Sequence, residues 1–449
     1  MPSKKLHTLV IEKLIPGGLG LGRLPEGKVA LVHHVLPGEK VTVREVNRKK
    51  DYISATLQEI ATPSPDRTRP PCLLYGRCGG CNLQHVSYNT QLLLKKEIIA
   101  ESLKRSGIDL VTGHETTLQP PVAAPEEFGY RQRIRLQINS KGGYGFFQTG
   151  SHKLVGVQEC LLAGPALNTV LQQLHYHDSF TGLARHSTAC ELLFDPGSSS
   201  VFIYLHFKRK PRPGDSALAS SLTSEISGLS TVLMQVEGYG LYDPVRQAPF
   251  SAAPYLSQTL ATDSRKDDLL LTWEAGGFCQ VNLSQNRNLI NLVLDMIKAA
   301  PHGRVLDLYC GNGNFSLPVA QFAGEVVAID NQNSAIRSGN RNISINKIHN
   351  CHFEKKQVGA GIHSLRNTGE TFDAVLLDPP RQGSADIMAI LPGLQAKQII
   401  YVSCNPVTLA RDLAILLPHG YCLAALVPVD MFPQTHHIEC IALLKRSAG

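Results

Sequence analysis

Alternating apolar and polar residues fill most of the first 60 positions, interrupted by glycine and proline turns such as residues 16–22. The alternation predicts short strands at residues 9–15, 29–35, 41–46 and 52–60. Strands at this spacing are typical of small β-barrels, including barrels that bind oligonucleotides. We therefore predict a β-barrel domain over residues 1–62. The proline-rich residues 62–71 are predicted to be a linker.

Helical and strand patterns are mixed in the middle region, residues 63–270. Apolar residues at helical spacing predict a helix over Tyr88–Ser106, and strict alternation predicts a strand over Tyr130–Ile138. These patterns predict a central α+β domain.

Strand and helix patterns take turns from about residue 271 onwards, which predicts a doubly wound parallel sheet over residues 271–449. The first strand is predicted at Arg304–Leu308, a helix from about Phe315 to Phe322, and the next strand at Glu325–Asp330. The apolar run Ile399–Val402 is predicted to be a buried strand.

Composition narrows the class of protein. The 449 residues are 43% hydrophobic and 18% charged, which predicts well-formed cores in roughly two to four domains. The net charge of +7 is concentrated in residues 1–50, which contain ten Lys and Arg but only four Asp and Glu. That indicates an anionic partner, nucleic acid before membrane. We find neither an apolar run near the roughly 18 residues of a membrane span nor a signal-peptide core, so a cytoplasmic protein is expected.

Eleven cysteines in such a chain indicate metal binding or catalysis rather than disulfides. Cys72, Cys78 and Cys81 form a C-x5-C-G-G-C pattern, and Cys160 is the best candidate for a fourth ligand. Four thiolates suit either zinc or a 4Fe-4S cluster. Because structural zinc usually takes two C-x2-C pairs, this uneven spacing favours iron–sulfur.

A glycine turn, Gly311-Asn312-Gly313-Asn314, follows the first predicted strand of the C-terminal sheet, and the next strand ends at Asp330. An acid at the end of the second strand is placed to accept hydrogen bonds from a ribose. The turn lacks the third glycine of a pyrophosphate loop. It therefore favours S-adenosylmethionine, which has no phosphates, over NAD.

The most distinctive residues are Cys404, directly after a predicted strand, and Glu439 in the same C-terminal stretch. A cysteine in such a position is more often an inert core residue. Asp378-Pro379-Pro380-Arg381 and the glycine turn favour a second interpretation, a thiol nucleophile beside a cofactor.

Taken together, the motifs resemble those of the RNA (uracil-5-)-methyltransferases that act on rRNA and tRNA. The resemblance spans nearly the whole chain: a barrel of the TRAM type, the cysteine set, D-L-Y-C-G-N-G-N-F, D-P-P-R, S-C-N-P and H-I-E. The barrel and the cysteines together resemble the 23S rRNA branch more than the tRNA branch. The resemblance implies a Rossmann-like C-terminal domain that binds S-adenosylmethionine, with the helix near residues 88–106 packed on it.

The resemblance also implies roles for individual residues. Cys404 would be the nucleophile and Glu439 the catalytic base. The implied cofactor contacts are Gln280, Tyr309, Gly311, Gly313, Asn314, Asp330, Gln357 and Asp378. The implied ligands of a 4Fe-4S cluster are Cys72, Cys78, Cys81 and Cys160. Tyr309 stands where the family commonly has phenylalanine, and Gln357 stands where Asn or Asp is expected near the adenine.

This chemistry needs covalent activation, because carbon 5 of uracil is a poor nucleophile. A Cys404 thiolate adding to carbon 6 would supply it, and Glu439 would remove the carbon 5 proton afterwards. We expect a partly ionised thiol, with Arg381 as a source of positive field. The uridine must be single-stranded or flipped out of its stack. Its RNA phosphates are expected to contact basic barrel residues, namely Lys4, Lys5, Arg44, Arg48, Lys49 and Lys50.

Two other functions stay open at this point. D-P-P followed by an aromatic residue marks methylation of exocyclic amino groups, but Arg381 replaces the aromatic. The other function is a metal-containing RNA-binding protein without catalysis, and the intact Cys404 and Glu439 argue against it. RNA, with rRNA before tRNA, is the expected partner, and a monomer is expected.

Overall fold

Five strands form a closed N-terminal barrel. Alternate residues of these strands are buried and form its apolar core. The computed structural model describes residues 5–109, 118–250, 253–261, 268–298 and 303–447. The barrel strands are β1 (Leu6–Ile15), β2 (Leu19–Arg23), β3 (Val29–His33), β4 (Lys40–Arg48) and β5 (Tyr52–Thr62), in the order β1-β2-β3-β5-β4. The predicted barrel is confirmed.

Strand β2 lies within residues that the sequence pattern assigns to a turn. Its glycines are needed for close packing inside the barrel. A Cβ atom on Gly20 would lie 2.3 Å from the Val35 side chain, and one on Gly22 would lie 2.4 Å from Leu9. Glycine therefore serves strand packing here and does not mark a chain reversal.

The middle region is a mixed sheet with helices on one face. After α1 (Tyr88–Arg105), its strands lie in the order β13-β12-β11-β10-β9-β6-β7-β8. The strands are β6 (Arg133–Ile138), β7 (Tyr144–Phe147), β8 (Leu154–Val155), β9 (Ser187–Asp195), β10 (Ser200–Phe207), β11 (Leu229–Val236), β12 (Gly240–Asp243) and β13 (Ala248–Pro249). The helices are α2 (Pro165–Leu174), α3 (Asp178–Ala184) and α4 (Pro213–Glu225). Apolar residues of these helices and of one sheet face form a single core.

The C-terminal sheet has seven strands in the order β18-β17-β16-β19-β20-β22-β21. Its strands are β16 (Arg304–Leu308), β17 (Glu325–Asp330), β18 (Cys351–Lys355), β19 (Ala374–Leu377), β20 (Gln398–Ser403), β21 (Tyr421–Val429) and β22 (Glu439–Arg446). The first five strands in that order are parallel, and β22 runs antiparallel between β20 and β21. The predicted doubly wound sheet is confirmed, with an antiparallel edge that the sequence pattern did not reveal.

Helices cover both faces of this sheet, which places one apolar core on each side. They are α5 (Leu283–Lys298), α6 (Ser316–Ala320), α7 (Asn333–Ile345), α8 (Val358–Asn367), α9 (Ala385–Met388) and α10 (Pro406–Leu416), with 3₁₀ turns at Leu391–Leu394 and Leu417–His419. A hairpin of β14 (Tyr255–Leu260) and β15 (Leu269–Glu274) precedes α5. The boundary that we predict between residues 270 and 271 therefore falls inside β15.

Helix α1 belongs in space to the C-terminal sheet, although about 200 residues separate them in sequence. Its Ile99 and Leu103 are buried in the core that covers one face of that sheet, and the helix packs on α10. Helix α1 therefore completes the helical layer on one face of the C-terminal sheet.

Candidate active site

The carboxyl edge of the C-terminal sheet gathers the residues that the motifs single out. Asp378 follows β19 and Cys404 follows β20, and these strands are parallel neighbours. Strand β22 runs the other way, so its first residue, Glu439, lies at the same edge. Ser403 pairs with Cys440, and one further step of this register sets Cys404 beside Glu439.

The loop after Asp378 is tied to the start of α10. The Asn405 side chain caps α10 by accepting a hydrogen bond from the Val407 amide at 3.1 Å, and it donates to the Arg381 carbonyl at 3.2 Å. The Thr408 hydroxyl donates to the same carbonyl at 3.2 Å. D-P-P-R and S-C-N-P thus form one unit, with Cys404 directly before the N-terminus of a helix.

A buried aspartate that we did not identify from the sequence holds the D-P-P-R and S-C-N-P segments together. Asp412 has no solvent exposure, and its Oδ2 accepts hydrogen bonds from the Tyr401 hydroxyl at 2.6 Å and the Ser384 amide at 2.7 Å. It therefore joins β20, the loop after Asp378 and α10. A lone acid in an apolar helix is the only sequence signal for it.

The charges at this edge oppose ionisation of the thiol. Burial, with the negative charges of Glu439 and Asp378, raises the pKa of Cys404 to about 12, and the exposed Arg381 acts in the other direction. The resting site therefore disfavours the partly ionised thiol that we expected, because burial and the two acids together outweigh one solvated arginine.

The two acids also hold protons more tightly than usual. Burial, with the charge of Asp378, raises the pKa of Glu439 to about 8, and burial raises the pKa of Asp378 to about 7. Glu439 is 6% exposed, whereas Asp378 keeps some solvent contact. A carboxyl group whose pKa lies near neutrality suits general acid–base work.

The glycine turn between β16 and α6 has the backbone shape of a ligand-binding loop. Tyr309, Gly311 and Gly313 all have positive φ angles, of 61°, 56° and 93°. A Cβ atom on Gly313 would lie 2.9 Å from the Phe353 ring, so a side chain is excluded there. Asp330 holds the turn by accepting from the Gly311 amide at 3.0 Å.

One buried donor in this turn lacks a partner. Asn312 Nδ2 is buried and makes no hydrogen bond within the described part of the chain. Buried polar groups are nearly always paired, so this atom is a candidate for a ligand contact. The first acid of the motif, Asp307, is 1% exposed, and burial raises its pKa to about 7.

The remaining predicted cofactor residues lie on three different segments. Asn314 exchanges two amide hydrogen bonds with Asn286 of α5, at 2.8 and 3.0 Å, a partner that the sequence did not suggest. Gln280 is half-buried in the segment between β15 and α5. Gln357 is exposed at the start of α8 and accepts a hydrogen bond from Asn331 at 3.3 Å, so it lies at the outer rim.

The four predicted metal ligands are half-buried free thiols close enough to affect each other's ionisation. Burial, with the charges of Cys160 and Cys78, raises the pKa of Cys81 to about 12. The Gly80 amide donates to Cys78 Sγ at 3.4 Å. Across the residues with described coordinates, no three His, Cys, Asp or Glu side chains are arranged as ligands of one ion.

The basic barrel residues that we expect to contact phosphates differ in whether they are already paired with an acid. Arg48 is paired with Glu45 at 2.8 Å and lies 3.9 Å from Glu26, which reduces its capacity to bind a phosphate. Also exposed are Lys5, Arg44, Lys49 and Lys50, and Lys4 lies outside the described residues. None of the helices with described coordinates has the length and apolarity needed to cross a membrane.

Comparison with known proteins places the chain in a family. The sequence model of the tRNA (Uracil-5-)-methyltransferase family matches residues 246–447. The 23S rRNA (uracil(1939)-C(5))-methyltransferase RlmD of Pseudomonas putida is 32% identical, over 99% of this chain and 95% of its own. The chain belongs to the RNA (uracil-5-)-methyltransferase family. The resemblance recognised from the motifs, and the enzyme class it implied, are confirmed.

Similarity within the family extends over the whole chain. The enzyme of the same name from Methylococcus capsulatus is 33% identical, over 97% of this chain and 96% of its own. The crystal structure of the Pyrococcus abyssi tRNA (uracil-54, C5)-methyltransferase, solved with S-adenosyl-L-homocysteine, is 26% identical. It superposes with a TM-score of 0.70 over 97% of this chain and 99% of that one.

The charges around Cys404 affect the pKa of its thiol and should therefore change the rate at which it is alkylated. At pH 9, above the pKa of both acids, Glu439→Gln removes a negative charge and lowers the pKa of the thiol. Its reaction with iodoacetamide should become roughly three- to tenfold faster. Arg381→Ala removes the opposing cation and should slow it. The measurement is mass spectrometry of the Cys404 peptide.

The exposed Cys422, at the other end of β21, serves as an internal control whose labelling rate should not change. Labelling of Cys404 at the wild-type rate in Glu439→Gln would show that the carboxylate does not govern the thiol.

Proposed function

We propose that this protein methylates carbon 5 of a uridine in 23S rRNA through a covalent adduct on Cys404, with Glu439 as the base. The observation that carries the proposal is the register of β20 and β22, which sets a thiol beside a buried carboxylate. The glycine turn and Asp378 lie at the same sheet edge. A nucleophile, a proton acceptor and a cofactor turn thus share one edge of the sheet.

S-adenosylmethionine is the cofactor that we assign. The turn suits it, because Gly311 and Gly313 allow close approach and the unpaired Asn312 amide needs an acceptor. The relative solved with S-adenosyl-L-homocysteine supports the assignment. The residues proposed to hold the cofactor are Gln280, Tyr309, Gly311, Gly313, Asn314, Asp330, Gln357 and Asp378. When bound, it supplies the electrophilic methyl group that carbon 5 receives.

The residues of this chain perform the remaining steps. Cys404 reacts as its thiolate, after the thiol proton has passed to the solvent that reaches this half-buried residue. The thiolate sulfur forms a bond to carbon 6, and the electron pair of the 5,6 double bond moves towards carbon 5 and oxygen 4. Once carbon 5 carries the methyl group, Glu439 takes its proton, the double bond re-forms and the carbon–sulfur bond breaks. Arg381 favours the thiolate, since its positive charge partly offsets the rise in the pKa of Cys404 that burial and the two acids cause.

We assign rRNA as the substrate because the relatives that match at 32–33% identity are named 23S rRNA methyltransferases. The exposed Lys5, Arg44, Lys49 and Lys50 of the barrel would contact phosphates. Phe278 is 69% exposed only two residues before Gln280, and it offers a surface on which an unpaired base can stack. tRNA is the alternative substrate that the assay below must include.

RNA containing 5-fluorouridine tests the covalent step, because fluorine on carbon 5 cannot be removed as a proton. Wild-type protein with S-adenosylmethionine should form an adduct that survives denaturing electrophoresis, and Cys404→Ala should form none. With ordinary rRNA, Glu439→Gln should accumulate methylated RNA still bound to the protein, since release is blocked.

Cys422→Ala is the matched control, and it should form the adduct like wild type. An adduct on Cys404→Ala would exclude Cys404 as the nucleophile. Transfer of methyl groups to tRNA but not to unmodified rRNA would show that the substrate is tRNA and contradict the rRNA assignment.

We further propose that Cys72, Cys78, Cys81 and Cys160 hold a 4Fe-4S cluster. The donor chemistry fits, because four half-buried thiols influence each other's ionisation and the Gly80 amide already donates to one sulfur. Amide donors to sulfur are among the means by which proteins tune such clusters.

Anaerobic purification tests the cluster. Wild-type protein should be coloured and contain iron and acid-labile sulfide in equal amounts. Cys81→Ser should lose both, whereas Cys422→Ser should retain them. A colourless protein with stoichiometric zinc would contradict the iron assignment.

A further inference from the structure

The segment of residues 276–280, which carries Phe278 and Gln280, is held by a side chain of the middle sheet. Arg133 of β6 donates from Nη1 to the Gly277 carbonyl at 2.8 Å, and its side chain also contacts Cys279. Its Nε donates to Glu191 Oε2 of β9 at 2.6 Å. One guanidinium therefore bridges a buried carboxylate and the segment that carries Gln280.

Glu191 is suited to be the fixed end of this bridge. It is 2% exposed, and it also pairs with the ring of His206 at 2.7 Å and with Arg135 at 3.4 Å. Burial opposes its ionisation, but the hydrogen bonds from His206 and Arg133 outweigh burial and hold its pKa below the ordinary value. The carboxylate stays charged, so Arg133 is kept in one orientation.

The backbone of the segment also lies directly on the middle sheet. Gly276 has a φ of +85°, and a Cβ atom there would lie 2.7 Å from the Tyr204 ring. The Gln132 amide donates to the Val281 carbonyl at 2.9 Å on the other side of Gln280. The segment is thus fixed at both ends by the middle region, and the Arg133 bond to Gly277 lies between these two contacts.

We propose that Arg133 is a positioning residue for cofactor binding: by bridging Glu191 and the Gly277 carbonyl, it sets the segment that presents Gln280 to the cofactor. The inference rests on the proposed function, since it uses Gln280 as a cofactor contact. It makes cofactor affinity depend on a residue outside the sheet that carries Cys404 and Glu439. Arg133 touches neither of those residues in the described contacts, so the chemical step should depend on it much less.

Arg133→Lys tests the proposal, because lysine keeps a positive charge beside Glu191, but its single nitrogen cannot take the places of both Nε at Glu191 and Nη1 at Gly277. The dissociation constant of S-adenosylhomocysteine, measured by calorimetry, should rise about tenfold, in line with the loss of one charged hydrogen bond. The KM for S-adenosylmethionine should rise with it, while kcat at saturation should fall less than about twofold.

Arg135→Ala is the matched control. Arg135 contacts the same carboxylate from the same strand but makes no described bond to the segment, so cofactor affinity should stay at the wild-type value. Trp273 on β15, the single tryptophan of the chain, reports through its fluorescence whether the adjoining hairpin is intact. If Arg133→Lys does not fold, Glu191→Gln replaces it and should raise the dissociation constant in the same direction.

Unchanged affinity in the folded variant, or equal loss in Arg135→Ala, would overturn the positioning role and leave the proposed function standing. A fall in kcat without a change in affinity would overturn it as well. Failure of wild-type protein to bind S-adenosylhomocysteine would overturn both proposals.

Discussion

A fully buried ion pair joins α1 to the segment that precedes β22. Lys95 of α1 donates to Asp430 Oδ1 at 2.6 Å and to the Phe432 carbonyl at 3.2 Å, and neither charged side chain has any solvent exposure. Burial lowers the pKa of Lys95, and the charge of Asp430 opposes that shift. Removing one partner of such a pair typically costs about 3–5 kcal/mol, because the other charge is left buried alone.

This pair matters for the site because Asp430 begins the segment that leads into β22 and Glu439. Other N-terminal residues hold the same segment. Gln91 exchanges two hydrogen bonds with Gln434, and Asn82, directly after Cys81, contacts His436 at 2.7 Å. The position of Glu439 therefore depends on residues more than 300 positions earlier, some of them in the cysteine loop.

Local patterns in the sequence predicted the barrel, the doubly wound sheet and the motif residues at its edge. Alternation and short motifs carry that information because each depends on neighbouring residues. The pairs that fix the site are different: Asn286 with Asn314, Lys95 with Asp430 and Arg133 with Glu191 join residues from separate elements. No spacing rule connects them, so sequence reasoning did not find them. The ionisation of Cys404 was misjudged for the same reason, since burial and the proximity of two acids arise only in the folded chain.

We propose that this protein installs 5-methyluridine in 23S rRNA by means of Cys404. This proposal is tested most directly by mapping 5-methyluridine in rRNA and tRNA from cells that carry the gene, lack it, or carry the Cys404→Ala form. The account predicts that a 5-methyluridine of 23S rRNA is lost without the gene and is restored by wild type but not by Cys404→Ala. An unchanged 23S rRNA pattern in cells without the gene, or full restoration by Cys404→Ala, would contradict it.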